Sequence, residues 1–309
     1  MDTNGRTGTH GTGGASDTVL PALPSLASLY GAALGRSARA AMLRTDRPQL
    51  LPNVVYRVDD VGVDPARLTR YQHLVGESGR DVLPAGFVHV LGFPLAVQVM
   101  ARHDFPLPLL GMVHIANRVE VARPLDLTDA LTVRAWSRNR RPHHRGTQVD
   151  LVVEVTETGD TDPQPAWRGV STYLAKGVRL EGLEAAPEPV RQEPGELPVT
   201  ARWELGAGVG REYAKVSGDV NPIHLSSLSA KAFGFPRAIA HGMYTASRAL
   251  ALVGPRRGES FAWTTEFAAP VLLPGRVEVN VTETPDGFTY AGWGRKPNFT
   301  GAVHRLRPH

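Results

Sequence analysis

The sequence predicts an α+β protein of two tandem units, each an antiparallel sheet wrapped around one long helix. Three echoes in the same order carry that expectation. "RYQHLVGE" from Arg70 parallels "EYAKVSGD" from Glu212, setting Tyr71 over Tyr213, Gly76 over Gly218 and Glu77 over Asp219. "AGFVHVLGFPLAVQVMA" from Ala85 parallels "HGMYTASRALALVG" from His241, with Gly86 over Gly242. "VARPLDLTDALTV" from Val121 parallels "FAAPVLLPGRVEV" from Phe267 in apolar pattern, with Pro124 over Pro270. Ordered echoes of this kind mean one supersecondary plan used twice.

Taken in chain order, residues 1–18 are Gly- and Thr-rich without apolar periodicity and read as a disordered tail. Residues 19–49 read as an N-terminal arm, with a short helix from Leu23 to about Leu43 packing on the body. The first unit takes residues 50–179. Its long apolar helix follows Gly86, and "HRGTQVDLVVEVTET" followed by "AWRGVSTYLAKG" has the Val- and Thr-rich alternation of antiparallel strands. Residues 180–198, "LEGLEAAPEPVRQEPGELP", are rich in Pro and Glu and read as a linker. The second unit takes 199–309. Two sheets set side by side would cover edges that each unit alone would expose.

The whole chain narrows the function classes. At 309 residues, 42% hydrophobic, it can bury sizeable cores. It contains no cysteine, which excludes disulfides, thiolate metal sites and a Cys nucleophile and fits a cytoplasmic protein. A net charge of +4 is spread over basic residues interleaved with acidic ones, and no nucleic-acid-reading motif is present. No membrane span is expected, because the apolar stretch near Leu20–Leu34 is broken by Pro21, Pro24 and Gly31.

The two copies differ between their paired glycines. Gly76 and Gly86 are 10 positions apart, Gly218 and Gly242 24, so the second copy holds 14 additional residues. In these lie Asn221 and His224, which face Gly79 and Val82 of the first copy. Only the second copy carries the polar set. Ser217, Asp219 and Asn221 beside Gly218 and Pro222 are also what an ordinary turn with side-chain-to-backbone bonds uses.

"YAKVSGDVNPIH" followed by "GFPRAIAHGM" resembles the hydratase motif of the MaoC-like (R)-specific enoyl-CoA hydratases and 3-hydroxyacyl-thioester dehydratases, with Asp219, Asn221, Pro222, His224, Gly234, Phe235, His241 and Gly242 all in place. The resemblance runs from about residue 50 to the C-terminus and, with its degenerate first half, implies a double hot-dog fold. It implies reversible hydration of a trans-2-enoyl thioester, on CoA or acyl-carrier protein, without metal or redox cofactor. By the same resemblance Asp219 and His224 hold the catalytic water, and the N–H of Gly242 binds the thioester oxygen. Asn221, Ser217 and His241 support them.

The chemistry agrees with these types. Hydration of a conjugated thioester needs a base for the water proton, an acid for the α-carbon and donors for the enolate oxygen. An imidazole, a carboxylate and a helix N-terminus supply them. Asp219, His224 and His241 lack the close helical His spacing of common zinc sites. Arg256, Arg257, Arg295 and Lys296 are candidates for the carrier's phosphates, whereas the Arg-rich "SRNRRPHHRG" around His143 and His144 reads as a solvated hairpin. The alternatives are a hot-dog acyl-thioesterase and a non-catalytic acyl-thioester-binding dehydratase partner. A homodimer is compatible with the two-unit plan.

Overall fold

The computed structural model describes residues 16–43, 47–184, 186–188 and 197–306. A short strand, β1 (Ser16–Val19), and a helix, α1 (Leu26–Leu43), precede the first unit. That unit runs β2 (Val54–Val61), α2 (Pro65–Val75), α3 (Ala85–Met100), β3 (Met112–Val121), β4 (Leu131–His143), β5 (Gly146–Glu157) and β6 (Trp167–Lys176). The second runs β7 (Ala201–Leu205), α4 (Val209–Ser217), α5 (Pro222–Leu225), α6 (Ser227–Ala232), α7 (Gly242–Val253), β8 (Phe261–Phe267), β9 (Gly275–Thr284), β10 (Gly287–Trp293) and β11 (Pro297–Arg305).

Among the described residues all strands form one sheet, in the order β1-β2-β4-β5-β6-β3-β8-β11-β10-β9-β7. From β2 onward the second half repeats the first in reverse: each unit's first strand lies outermost and the strand after its long helix lies at the centre. The two units meet there through antiparallel pairing of β3 with β8, from Ala116 opposite Glu266 to Val121 opposite Phe261. This is a double hot-dog, α+β in class.

Local chemistry explains the elements that place the site. Asp64 caps α2 by accepting from the Ala66 amide at 2.9 Å, Pro65 opens the helix, and Gly76 closes it with φ +78°. Its counterpart Gly218 closes α4 at φ +75°, a left-handed conformation that favours glycine. Helix α3 buries 15 of its 16 residues, so it has no solvent face and serves as the central helix its apolar run predicts. Trp167 on β6, 1% exposed, donates its indole N–H to the Ala85 carbonyl at 3.1 Å and ties the sheet to the start of α3. The two central helices cross closely: a Cβ on Gly86 would lie 2.3 Å from both the Ser247 and Tyr71 hydroxyl oxygens.

The tail expected over residues 1–18 needs correction at its end. Residues 1–15 lie outside the described residues, but Ser16–Thr18 belong to β1, whose residues pair in parallel with Val54–Arg57 of β2. The polar composition there says nothing of pairing; an open edge of β2, far along the chain, supplies the partner. The linker expectation covers residue 185 and residues 189–196, which also lie outside the described residues; β6 ends at Lys176 and β7 begins at Ala201. Among the described residues no helix is long and apolar enough to cross a membrane.

Candidate active site

The 14 additional residues of the second copy build a compact loop of two short helices. At the end of α4 the Ser217 hydroxyl donates to the Tyr213 carbonyl at 2.9 Å and accepts from the Asp219 amide at 3.1 Å, turning the chain out of the helix. Asp219 Oδ1 accepts from the Asn221 amide at 3.1 Å. Asn221 Oδ1 then accepts from the Ile223 amide at 3.5 Å, capping α5 with Pro222 at its start. Ser217 and Asn221 therefore shape the loop. His224 follows on α5, Ser226 caps α6, and the chain returns through Ile239 to His241 and α7.

Three side chains converge as a result. Asp219, His224 and His241 each place one donor atom within 4.8 Å of the others. A single water making bonds of about 2.8 Å spans such a gap. The His224 Nδ1 lies 2.8 Å from the Ile239 carbonyl, which can only accept, so Nδ1 carries the proton and Nε2 keeps its lone pair. His241 stacks on His224 with ring centroids 3.6 Å apart. Its Nε2 donates to the Asp219 carbonyl oxygen at 3.1 Å and lies 3.6 Å from Oδ2 of the same residue. Burial pushes the His224 imidazole below its ordinary pKa, opposed by the Asp219 charge. His241 is pushed down further by burial and by His224. Both rings are neutral at pH 7.

These groups line one wall of a cavity of about 1360 Å³. The same wall includes Gly242 and Met243 at the start of α7. His241 makes no side-chain capping bond, and at this helix start the Gly242 and Met243 amides have no backbone acceptor among the described residues. A Cβ on Gly242 would lie 3.0 Å from the Phe267 ring, which closes the wall against the helix. The opposite wall belongs to the first unit, with His89 and Phe93 of α3, Met112 of β3 and Tyr173 of β6. His89 and Tyr173 feel the Asp219 charge across the cavity.

Several residues are placed otherwise than the sequence implies. Of the four cations expected near the carrier, Lys296 lines the cavity, and Arg256, Arg257 and Arg295 do not. Arg256 pairs with Glu283 at 3.0 Å, and Arg257 with Glu77, also at 3.0 Å. Glu77 is the first copy's counterpart of Asp219, so the carboxylate of the degenerate half is held in an ion pair that leaves both side chains below 15% exposure. The Arg-rich hairpin is not simply solvated: Arg141, His143, His144 and Arg145 line the cavity with Lys176. Arg141 is held by Asp150 at 2.7 Å, while Arg145, Lys176 and Lys296 have no carboxylate partner among the described residues. Sequence spacing could not reveal this, because the hairpin belongs to the other unit. Tyr30 of α1 was also missed: it lines the cavity and donates its hydroxyl to Asp219 Oδ1 at 2.9 Å.

Comparison with known proteins gives a concordant picture. The family model described as "MaoC like domain" matches residues 188–288. A 3-hydroxyacyl-thioester dehydratase X of Mycobacterium tuberculosis is 35% identical over 254 residues, 82% of this chain and 89% of the relative. A crystal structure of HtdX from the same organism has a TM-score of 0.72 at 34% identity, covering 81% of this chain and 99% of that one. A 3-hydroxybutyryl-CoA dehydratase of Methylorubrum extorquens is 42% identical over 73 residues, 22% of this chain and 46% of the relative.

Proposed function

We propose that this chain, which belongs to the MaoC-like dehydratase family, reversibly adds water to a trans-2-enoyl thioester to give the (R)-3-hydroxyacyl thioester. The observation that carries this reading is the convergence of Asp219 and His224 on one wall of the cavity, beside the open amides of α7. In the hydration direction Asp219 and His224 hold a water between them. His224 Nε2 takes one proton as the water oxygen bonds to the β-carbon. The double-bond electrons move onto the thioester oxygen, where the Gly242 amide, with the positive end of the α7 dipole behind it, stabilises the charge. A proton from the Asp219/His224 pair then reaches the α-carbon and restores the carbonyl. The charge balances over the cycle: one water enters, and both its hydrogens end on the product. His241 keeps the carboxylate and imidazole in register.

The acyl chain extends towards the apolar wall of the first unit, and the carrier's phosphates meet Arg145, Lys176 and Lys296, three cations without carboxylate partners among the described residues. CoA and acyl-carrier-protein thioesters share this phosphate chemistry, and the absence of cysteine from the sequence supports a cytoplasmic reading. Both units come from one chain, so the cavity needs no second copy to complete it. Asp219, His224 and His241 could also hold a cation, but the reading assigns the proton transfers to the protein's own groups.

The test follows loss of enoyl absorbance with crotonyl-CoA and longer enoyl-CoA esters, with chiral analysis of the product. Asp219→Asn and His224→Ala each lower kcat by at least about 10²-fold with unchanged thermal melting. Exhaustive chelation leaves turnover intact. Near-wild-type rates in both variants end this mechanism, loss of activity on chelation with recovery on metal addition replaces it with a metal-assisted one, and release of free thiol identifies a thioesterase instead.

A further inference from the structure

We propose that Tyr30, on the N-terminal arm, is a positioning residue of the active site: its hydroxyl holds one oxygen of Asp219 so that the other is left for the water. The proposal rests on the hydratase reading for its kinetic consequence and on geometry for its physical basis. Asp219 Oδ1 receives two donors, the Tyr30 hydroxyl at 2.9 Å and the Asn221 amide at 3.1 Å. Two donors on one oxygen fix the rotation of a carboxylate and fill that oxygen's favourable directions. Oδ2 takes neither of them and lies 3.6 Å from His241. One of the carboxylate's oxygens is thus a structural anchor and the other a working group.

The arm is built to deliver this hydroxyl. Leu26, Tyr30 and Ala33 recur at the spacing of one helix face, and all three are buried. Leu26 reaches the turn before Asp219, with its Cδ1 3.2 Å from the point where a Cβ on Gly218 would stand. The arm therefore packs on both the glycine that turns the chain and the carboxylate that follows it. Tyr30 precedes the stretch that resembles the family, yet it lines the same cavity as His224 and Gly242. Burial, reinforced by the Asp219 charge, holds its phenol well above the ordinary value, so it remains a donor throughout the working pH range.

The experiment compares Tyr30→Phe, which keeps the ring and removes only the donor, with the wild-type full chain. Losing a hydrogen bond to a charged group lowers kcat about tenfold and the melting temperature by a few degrees, while KM stays within about twofold, because the lost hydroxyl acts on Asp219. A crystal structure of the variant shows the Asp219 carboxylate rotated or in two orientations. Wild-type kcat together with a single, unrotated Asp219 carboxylate overturns the proposal, as does a change confined to KM. If the wild-type chain hydrates no enoyl thioester, the reading of the reaction falls, and the carboxylate orientation alone still decides the role of Tyr30.

Discussion

Three buried imidazoles, His89, His224 and His241, and the partly buried His114 line the cavity, and their protons link the site to stability. Burial pushes His89 down to about 4, against the pull of Asp219, and His114 down to about 3, helped by His89. His224 and His241 shift the same way. In the unfolded chain a histidine takes its proton near pH 6.5. Below that pH the unfolded state binds protons that the folded state refuses, so these groups subtract stability as pH falls from about 6.5 towards about 4 and 3. Above pH 6.5 they contribute no slope. The expected result is a urea midpoint that is level between pH 7 and 8 and declines steadily below 6.5. His114 stacks on Tyr173 at 4.7 Å between ring centroids and meets Phe267 at a tilt at 5.1 Å, so His114→Phe keeps an aromatic ring in this slot and removes part of that decline. An unaltered pH slope in His114→Phe would show that this ring does not carry the linkage.

At the level of elements, the β4–β5 hairpin and the end of β6 bring cations from the first unit to a site whose chemistry sits on the second. Arg145, Lys176 and Lys296 are exposed and lack carboxylate partners among the described residues, so each adds mainly Coulomb attraction screened by salt. Replacing all three with Ala raises KM for a CoA thioester about tenfold at low salt and leaves kcat unchanged. The same triple variant leaves KM for a pantetheine thioester lacking the nucleotide phosphates unaltered; equal changes in both substrates would remove the phosphate assignment. The contrast with Arg256 and Arg257 shows what the sequence can and cannot say. Gly76 and Gly218, Gly86 and Gly242, and the loop between Asp219 and His224 were legible because local rules fix them: left-handed caps, helix starts and side-chain caps act within a few residues. The whereabouts of the cations, of Tyr30 and of Ser16–Val19 depend on which distant element lies alongside, and no local pattern records that. The apolar run after Gly86 announces a central helix but not that His89 within it faces the opposing Asp219.

Across the whole molecule, the two units behave as a dimer drawn from one chain, and the contacts between them are what the connection must preserve. The seam pairs β3 with β8, sets Gly86 against Ser247 and Tyr71, and adds the Tyr71-to-Ser247 hydroxyl bond at 2.8 Å. It also holds the Arg257–Glu77 ion pair, in which either charge left alone would be costly at such burial. Helix α3 buries 15 of its 16 residues, so the first unit cannot leave the second without exposing apolar surface. By comparison the covalent link contributes mainly loop-closure entropy, which varies only slowly with length. Cutting the chain at a protease site introduced between Glu188 and Leu197 is therefore expected to leave two fragments that co-elute in gel filtration and keep at least about half of the hydratase rate, since Tyr30, the cations of the hairpin and the Asp219–His224 pair all stay in place. The second-unit fragment expressed alone would lack the opposite cavity wall, the arm and the partner for β8, and would show neither activity nor a monomeric elution position. Dissociation of the nicked halves with loss of activity under native conditions would mean that the linker, rather than the seam, holds the cavity together.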